Sequence, residues 1–399
     1  MTCLQNVWRT LGLVVALALT APVTHALEVT ITAQYRGDAS ARFENTTPPA
    51  FFCQRWPQRC NESGLTGVLG VVDLPITFDK EVTVGNPRDE FYVKMPARRQ
   101  VDIFRDHTGE PHVVPFEFIA VGQRTSGVAW NRSPLYNSIL QGGCTRLHNF
   151  ANPPHVLHLW RVESPQSPTA CHASYNRAQP DYREVVTGME MGVGYMLSMP
   201  GPYRMKPGIY RGSSTYSIGP GGDFDFGDAV TNLSGNSLTI HFVLDVQHAF
   251  FFDFPPGSDR AVLEPPGGWQ AWLAGGSAPQ RLYRDLPFRL SSTGPFKVYK
   301  LCQYDAGDRC GIRNAGSDEV PVEVALSLPG GIQYRGGGIN RVALPTGRLA
   351  ALQFEAVIPT LNRPGQLHFE VGRDDVRAML ANPGTTYTGH VTVVFDAEL

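Results

Sequence analysis

The chain has 399 residues, and its 34 Lys and Arg against 36 Asp and Glu give a formal net charge of −2 at pH 7. Nucleic-acid binders usually carry a strong basic excess, so this balance argues against that class. Gly (41) and Pro (32) are frequent, only 18% of residues are charged, and long runs of 3.6-residue period are scarce. These features predict an all-β protein with many turns.

The first 26 residues have the pattern of a secretory signal peptide. Arg9 is the only charge, Leu11 to Leu19 is an apolar run, and Thr24-His25-Ala26 offers small residues before a cleavage site after Ala26. The run is too short to span a membrane. The mature product is expected to be an exported protein of 373 residues (399 − 26) with 33 basic and 36 acidic residues, long enough for about two domains.

Six cysteines remain once Cys3 leaves with the signal. An even count in an exported chain indicates disulfides. Nearest-neighbour pairing is the simplest arrangement, because each pair closes a short loop. It predicts Cys53–Cys60, Cys144–Cys171 and Cys302–Cys310. Zinc bound by Cys144, Cys171 and nearby histidines is the alternative, but their spacing matches no familiar zinc module, and we predict no metal.

Alternating apolar residues predict strands through the first half of the chain. The clearest is Leu27 to Tyr35, LEVTITAQY. Others are predicted at 73–78, 81–84, 89–95, 100–104, 113–121, 155–162 and 210–218. Residues 183–199 remain open between a strand and a short helix.

Residues 219–236 are rich in Gly, Asp, Asn and Ser, which predicts a linker. They would separate an N-terminal β-domain (27–218) from a C-terminal domain (237–399). In the second half, strands are predicted at 237–246, 250–254, 286–290, 296–301, 320–328, 349–358 and 366–371, with a turn or two of helix at 374–380. Strands at this spacing, joined by turns, are typical of β-sandwiches.

The stretch Asn382 to Leu399 reads as a closing strand after a Pro-Gly turn. Its alternation predicts that five residues share one face: Tyr387, Gly389, Val391, Val393 and Phe395. The stretch Pro207 to Gly212 has the same residue pattern as Pro383 to Gly389, Pro-Gly followed by Tyr-x-Gly, with one residue fewer between them. The two halves are therefore expected to end in the same kind of strand.

Familiar catalytic patterns are missing from the sequence, which contains no Gly-x-Ser-x-Gly, His-Glu-x-x-His or Gly-x-x-x-x-Gly-Lys. We therefore predict neither enzymatic activity nor a cofactor. Arginine suits fork-like recognition of carboxylate or phosphate groups. Five arginines of the first half are receptor-binding candidates, although a solvated turn explains any one of them: Arg98, Arg99, Arg105, Arg204 and Arg211.

With these features, the chain resembles the tip adhesins and initiator subunits of alternative (class 5, CblD/CfaE-like) chaperone–usher pili. The resemblance spans most of the mature chain and is firmer over 230–399. The segments that carry it are Pro207–Gly212, Gly221–Gly227, Pro295–Tyr299 with Cys302 and Cys310, Val320–Val322 through Leu328–Gly330, and Tyr387–Phe395.

The resemblance implies two tandem immunoglobulin-like β-sandwiches, the C-terminal one an incomplete pilin-type sandwich. A periplasmic chaperone would fill its open groove, and the N-terminal strand of the major pilin would replace the chaperone at an outer-membrane usher, a donor-strand complementation. The face from Tyr387 to Phe395 would border the groove.

Leu27–Tyr35 is expected to be built into the first domain rather than free to act as a donor strand. That places the subunit at the fimbrium tip, on the cell surface, with the first domain binding a host or surface receptor, for which a glycan is the expected ligand class. The alternatives are a secreted carbohydrate-active enzyme, which would need a carboxylate pair in a cleft, and an exported two-domain carbohydrate-binding protein unrelated to pili. For the enzyme, Glu117, Glu163 and Asp181 are conceivable members. A glycan site would also need aromatic faces, and the predicted loops supply Trp56, Trp130 and Tyr136.

Overall fold

The computed structural model describes residues 26–65, 70–127, 138–175 and 180–397. The predicted signal peptide, apart from Ala26, lies outside the described residues. No helix within these ranges is long and apolar enough to cross a membrane.

The first half consists of strands of two to sixteen residues and two small helices, α1 (Phe51–Arg55) and α2 (Pro57–Glu62). The strands are β1 (Ala26–Tyr35), β2 (Glu44–Asn45), β3 (Gly70–Leu74), β4 (Phe78–Val82), β5 (Phe91–Val93), β6 (Arg99–Arg105), β7 (Pro111–Ser126), β8 (Ser138–Gly142), β9 (Cys144–Asn152), β10 (His155–Val162), β11 (Cys171–Tyr175), β12 (Glu184–Leu197), β13 (Gly208–Ser217), β14 (Val230–Thr231) and β15 (Ser237–Val246). The segment left open at 183–199 is thus a strand.

Twelve of these strands form one sheet, whose main order is β14-β4-β12-β7-β6-β13-β15-β1-β2. Six strand spacings separate β12 from β2, which is roughly 29 Å in a flat sheet. Yet Tyr195 Oη on β12 lies 3.0 Å from Oγ1 of Thr47, just after β2. The sheet therefore folds back on itself and encloses one large core. The small sheet β5-β11-β8 also contributes to this core.

The strand β15 belongs to this first sheet, not to the second half as predicted. It pairs in parallel with β1 over ten residues, Ala26↔Ser237 to Tyr35↔Val246, and antiparallel with β13. Alternation identifies a two-faced strand but not the sheet that the strand joins. The prediction therefore assigned this strand to the wrong domain. We propose that the domains divide between Val246 and Phe250. The pairing also builds Leu27–Tyr35 into the first domain, as expected.

The segment predicted as a linker, 219–236, is packed against the first domain. Phe224 and Phe226 are fully buried in its core. Between them, Asp225 accepts a hydrogen bond from Arg88 Nη1 at 2.9 Å. The Gly and Asp residues do make turns here, but the alternate phenylalanines anchor those turns to the core, so the linker prediction is wrong.

The second half contains helices α3 (Gln270–Leu273) and α4 (Arg373–Leu380) and two facing sheets. The strands are β16 (Phe250–Asp253), β17 (Leu282–Ser292), β18 (Phe296–Cys302), β19 (Tyr304–Ala306), β20 (Arg309–Arg313), β21 (Glu319–Ser327), β22 (Ile332–Gln333), β23 (Val342–Ala343), β24 (Leu352–Ala356), β25 (Thr360–Val371) and β26 (Val391–Asp396). One sheet has the order β16-β17-β25-β21-β20-β19 with β23 beside β21; the other is β22-β24-β18-β26. The all-β prediction is confirmed.

The three disulfides join the predicted neighbours: Cys53–Cys60, Cys144–Cys171 and Cys302–Cys310. Two lie in the first domain and one in the second. Because Cys144 and Cys171 are bonded to each other, they do not form the zinc site considered from the sequence.

A short joint links the two domains between β15 and β16. His248 Nε2 lies 2.7 Å from the carbonyl oxygen of Met205 in the first domain. Ala249 receives a hydrogen bond from the backbone of Thr293 in the second domain and donates one to the Thr293 hydroxyl. Gly37 lies so close that a Cβ there would be 2.3 Å from the Ala249 nitrogen. The joint therefore contacts both domains.

His158 makes the stability of the first domain sensitive to pH. It is fully buried, and neither ring nitrogen has a hydrogen-bond partner among the described residues. Burial, reinforced by the charge of Arg146, lowers the pKa of His158 from 6.5 to about 3. Between these values the unfolded chain binds a proton that the folded chain does not, so stability falls as pH drops below 6.5.

We expect this one group to cost about 2 kcal/mol of first-domain stability between pH 7 and pH 5. In His158→Leu that part of the pH dependence should vanish, as measured by urea unfolding at the two pH values. His390→Gln, an exposed histidine of the second domain, is the control and should behave like the native chain. An unchanged pH dependence in His158→Leu would contradict the assignment.

Candidate functional site

Two unpaired strand edges face each other in the second domain. β16 pairs only with β17, and β26 pairs only with β18, among the residues that the structure describes. The ring centroids of Phe252 on β16 and Phe395 on β26 are 4.9 Å apart, so the two edges border one groove. About half of the backbone N–H and C=O groups of an unpaired edge point outward and can accept another strand.

The floor of this groove is aromatic. Phe395 lies at its centre, with ring centroids 5.8 Å from Phe288 and 6.4 Å from both Phe250 and Phe296. At one end, Phe254 lies 5.2 Å from Phe288. Edge-to-face and tilted contacts of this kind hold the rings together.

The floor is only partly covered. Phe252 is 41% exposed, whereas Phe296 and Phe354, deeper in the same core, are 2% exposed or less. Val391, Val393 and Phe395 are likewise only partly buried against that core. The sandwich core is therefore open to solvent along the line between β16 and β26.

Lys300 places a buried amine on the core-facing side of β18. It lies directly opposite Val393 and is almost fully buried. Its Nζ donates hydrogen bonds to the carbonyl oxygens of Asp308, at 2.8 Å, and of Leu344. Burial lowers the pKa of Lys300. The core-facing side of β18 is therefore not uniformly apolar.

Of the five residues predicted on the groove face, the structure places Val391, Val393 and Phe395 on the floor. Tyr387 packs instead in the separate cluster that includes Val376 of α4, and its hydroxyl donates to Asp318 at 2.5 Å. Gly389 lies against the Gly311 carbonyl. The chain crosses between sheets here, because Thr388 bridges to Arg313 of the other sheet before β26 begins.

Sequence reasoning missed the opposite wall of the groove. The dense aromatic strand at 250–254 was recognised, but its partner across the groove was not. Phenylalanine at 250, 252 and 254 was the available signal, since a two-residue period puts all three on one face.

The five arginine candidates do not gather in one place. Arg99 and Arg105 begin and end β6, which separates them by about 20 Å. Arg99 is engaged within the domain: its Nη2 is 2.7 Å from Asp223 Oδ1, and its guanidinium lies 4.3 Å from the centroid of the Tyr216 ring. Next to it, the Nε of Arg98 is buried with no hydrogen-bond partner.

The other arginines lie towards the joint. Arg105 is opposite Tyr210 in the sheet, Arg211 pairs with Asp106 at 3.0 Å, and the exposed Arg204 lies beside the Tyr203 ring. That end faces the second domain, because Lys206 lines a cleft together with Phe296, Lys297, Gln353 and Asp396.

Other candidates from the sequence are scattered as well. Trp56 packs edge-to-face on His148, with centroids 4.5 Å apart, while Trp130 and Tyr136 lie outside the described residues. Glu117 is buried, whereas Glu163 and Asp181 are exposed, so the three carboxylates do not share one environment.

No protein-family model and no curated protein matches the chain. Solved structures that it matches include a chaperone–tip adhesin complex of CFA/I fimbriae (8% identity, 94% of this chain and 97% of that chain, TM-score 0.28). CfaE, the adhesive subunit of the CFA/I fimbria of enterotoxigenic Escherichia coli, is another. It matches at 9% identity over 81% of this chain and 82% of that chain, with a TM-score of 0.26. A third is the CsuC–CsuE chaperone–tip adhesion subunit pre-assembly complex of archaic Csu pili of Acinetobacter baumannii. It matches at 11% identity over 94% of this chain and 99% of that chain, with a TM-score of 0.23.

Phe395→Ala should destabilise the second domain by about 2–3 kcal/mol, because it removes the ring at the centre of the floor. Thr392→Ala, on the exposed face of the same strand, should change stability by no more than about 0.5 kcal/mol. Urea unfolding of the two variants tests this pair. Equal effects would mean that Phe395 does not hold the floor together.

Proposed function

We propose that residues 249–397 form a strand-accepting domain, completed by a strand from another polypeptide. The observation that carries this proposal is the pair of open edges, β16 and β26, facing each other over a half-exposed aromatic floor. A strand inserted there would satisfy backbone groups on both edges, and its alternate side chains would cover the floor.

The energetics favour an occupant. Covering a half-exposed phenylalanine such as Phe252 is worth roughly 1–2 kcal/mol at 25 cal/mol per Å². Left open, two edges beside an apolar floor are an aggregation hazard. The domain is therefore suited to be held by one partner before it passes to another.

The assembly pathway comes from the sequence resemblance. In that scheme a periplasmic chaperone first occupies the groove, and the N-terminal strand of the major pilin then replaces it at the outer-membrane usher. The protein would be exported through the periplasm and stand at the fimbrium tip as an adhesin.

The first domain is our candidate for the receptor-binding part, with a glycan as the proposed ligand class. If the second domain joins the fibre, the receptor would meet the end of the first domain remote from the joint. Of the five arginine candidates, Arg98 and Arg99 lie at that end of β6. Arg105, Arg204 and Arg211 lie towards the joint, which makes them weaker candidates.

Tethering the donor strand of the partner pilin to this chain through a flexible linker should stabilise the second domain. An effective concentration about 1,000 times Kd adds about 4 kcal/mol, which raises the Tm by roughly 10 °C for a domain of this size. Calorimetry of the full exported chain, with and without the tethered strand, measures the rise.

Val393→Asp should abolish that rise, because it puts a charge on the floor beneath the strand. Thr392→Asp, its neighbour on the opposite face, should keep it. A scrambled donor sequence controls for the linker. A chain that melts equally high without the strand, or gains as much from the scrambled one, would refute the strand-accepting function.

A further inference from the structure

Three side chains on the outer face of the seven-stranded sheet form a hydrogen-bonded row that the groove does not involve. They are Asp285 on β17, His368 on β25 and Ser327 on β21. Asp285 and His368 are direct cross-strand partners, and Ser327 lies opposite Gln366, two residues from His368. Residues two apart on a strand share a face, so the register alone brings the three side chains together.

The distances and directions fit a serine hydroxyl activated by an imidazole. His368 Nδ1 lies 2.7 Å from Asp285 Oδ1, and His368 Nε2 lies 2.8 Å from Ser327 Oγ. An ionised carboxylate can only accept, so the imidazole proton belongs on Nδ1. Nε2 is then free to accept the Ser327 hydroxyl proton, which is the arrangement of a nucleophile, its base and the group that orients the base.

Arg341 pairs with the acidic end of this row. Its guanidinium lies 3.5 Å from Asp285 and 3.6 Å from Glu370, and the His368 side chain is only 6% exposed although it is on an outer face. The backbone N–H of Arg341 donates to Ser327 Oγ at 2.9 Å. Its φ of 48° lies in the left-handed region, a backbone conformation that is uncommon for residues other than glycine and is enriched at functional sites.

A candidate donor for developing negative charge lies beside the serine. The Asn340 carboxamide is 3.4 Å from Ser327 Oγ, with its oxygen towards the serine. Carboxamide oxygen and nitrogen can exchange places by a half-turn. In the turned orientation, the Asn340 N–H₂ group would be a donor for the negatively charged oxygen of an ester carbonyl that Ser327 has attacked.

We propose that Ser327 is a nucleophile that takes the acyl group of small activated esters. Ser327 Oγ bonds to the ester carbonyl carbon while His368 Nε2 takes its proton, and the carbonyl electron pair moves to the oxygen. When that pair returns, the bond to the leaving alcohol breaks and His368 gives the alcohol its proton. Water then releases the acid by the same two steps. This activity is independent of the strand-accepting groove.

The test uses the full exported chain with p-nitrophenyl acetate and with a fluorophosphonate probe. We expect a burst of p-nitrophenolate, and covalent labelling that peptide mass spectrometry locates at Ser327. Ser327→Ala should reduce both to background. His368→Gln should slow acylation about 100-fold or more, because it removes the general base.

Ser291→Ala is the matched control. Ser291 is another serine of the same sheet, but its hydroxyl has the backbone N–H of Asn362 as its partner rather than an imidazole, so this variant should label like the native chain. Asp285→Asn, which keeps the side-chain shape, provides a second measure should Ser327→Ala unfold, and it should lose at least about 100-fold in rate.

A purely structural role for the row would give a different result. In that case the variants would lower the Tm, yet native Ser327 would take no label while a known serine hydrolase in the same buffer did. That result would overturn the proposal, as would labelling that persists in folded Ser327→Ala.

Discussion

The ten-residue parallel pairing of β1 with β15 is the constraint on which the domain organisation depends. It joins the first strand of the first domain to the last. Because β15 is paired on its other side with β13, it is fixed inside the folded sheet rather than at an edge. The chain then has only three residues, 247–249, before β16 begins the edge of the groove. The position of the groove beside the first domain follows from this pairing.

Local pattern predicted much of the fold because a strand's alternation is a property of its own residues. LEVTITAQY, the strand at 155–162 and the aromatic strand at 250–254 could all be found that way. Sheet membership could not, because it depends on partners far away in the chain. The strand at 237–246 has the same alternation whichever sheet receives it, and the segment at 219–236 has turn composition whether or not Phe224 and Phe226 are buried.

The groove and the Ser327 row could also be predicted only in part from local sequence pattern. Val391, Val393 and Phe395 were predictable as one face of one strand, but Tyr387 and Gly389 precede a crossing between sheets that no local period reveals. The opposite wall of the groove came from another sheet. Ser327, His368 and Asp285 match no linear motif, because three strands separated by long stretches of chain supply one residue each. Only the register of β17, β25 and β21 places them in a row.

The joint at 247–249 has a mechanical consequence for any protein held at both ends. Tension applied to the second domain would enter the first at Val246 and run along β15. Both neighbours, β1 and β13, are paired with β15 over its whole length, so the pull would act along the strands rather than peel them apart. The inter-strand hydrogen bonds would then share the force and have to yield together. The fold thus places a strand that is paired along its whole length on both sides in the path along which traction would be transmitted.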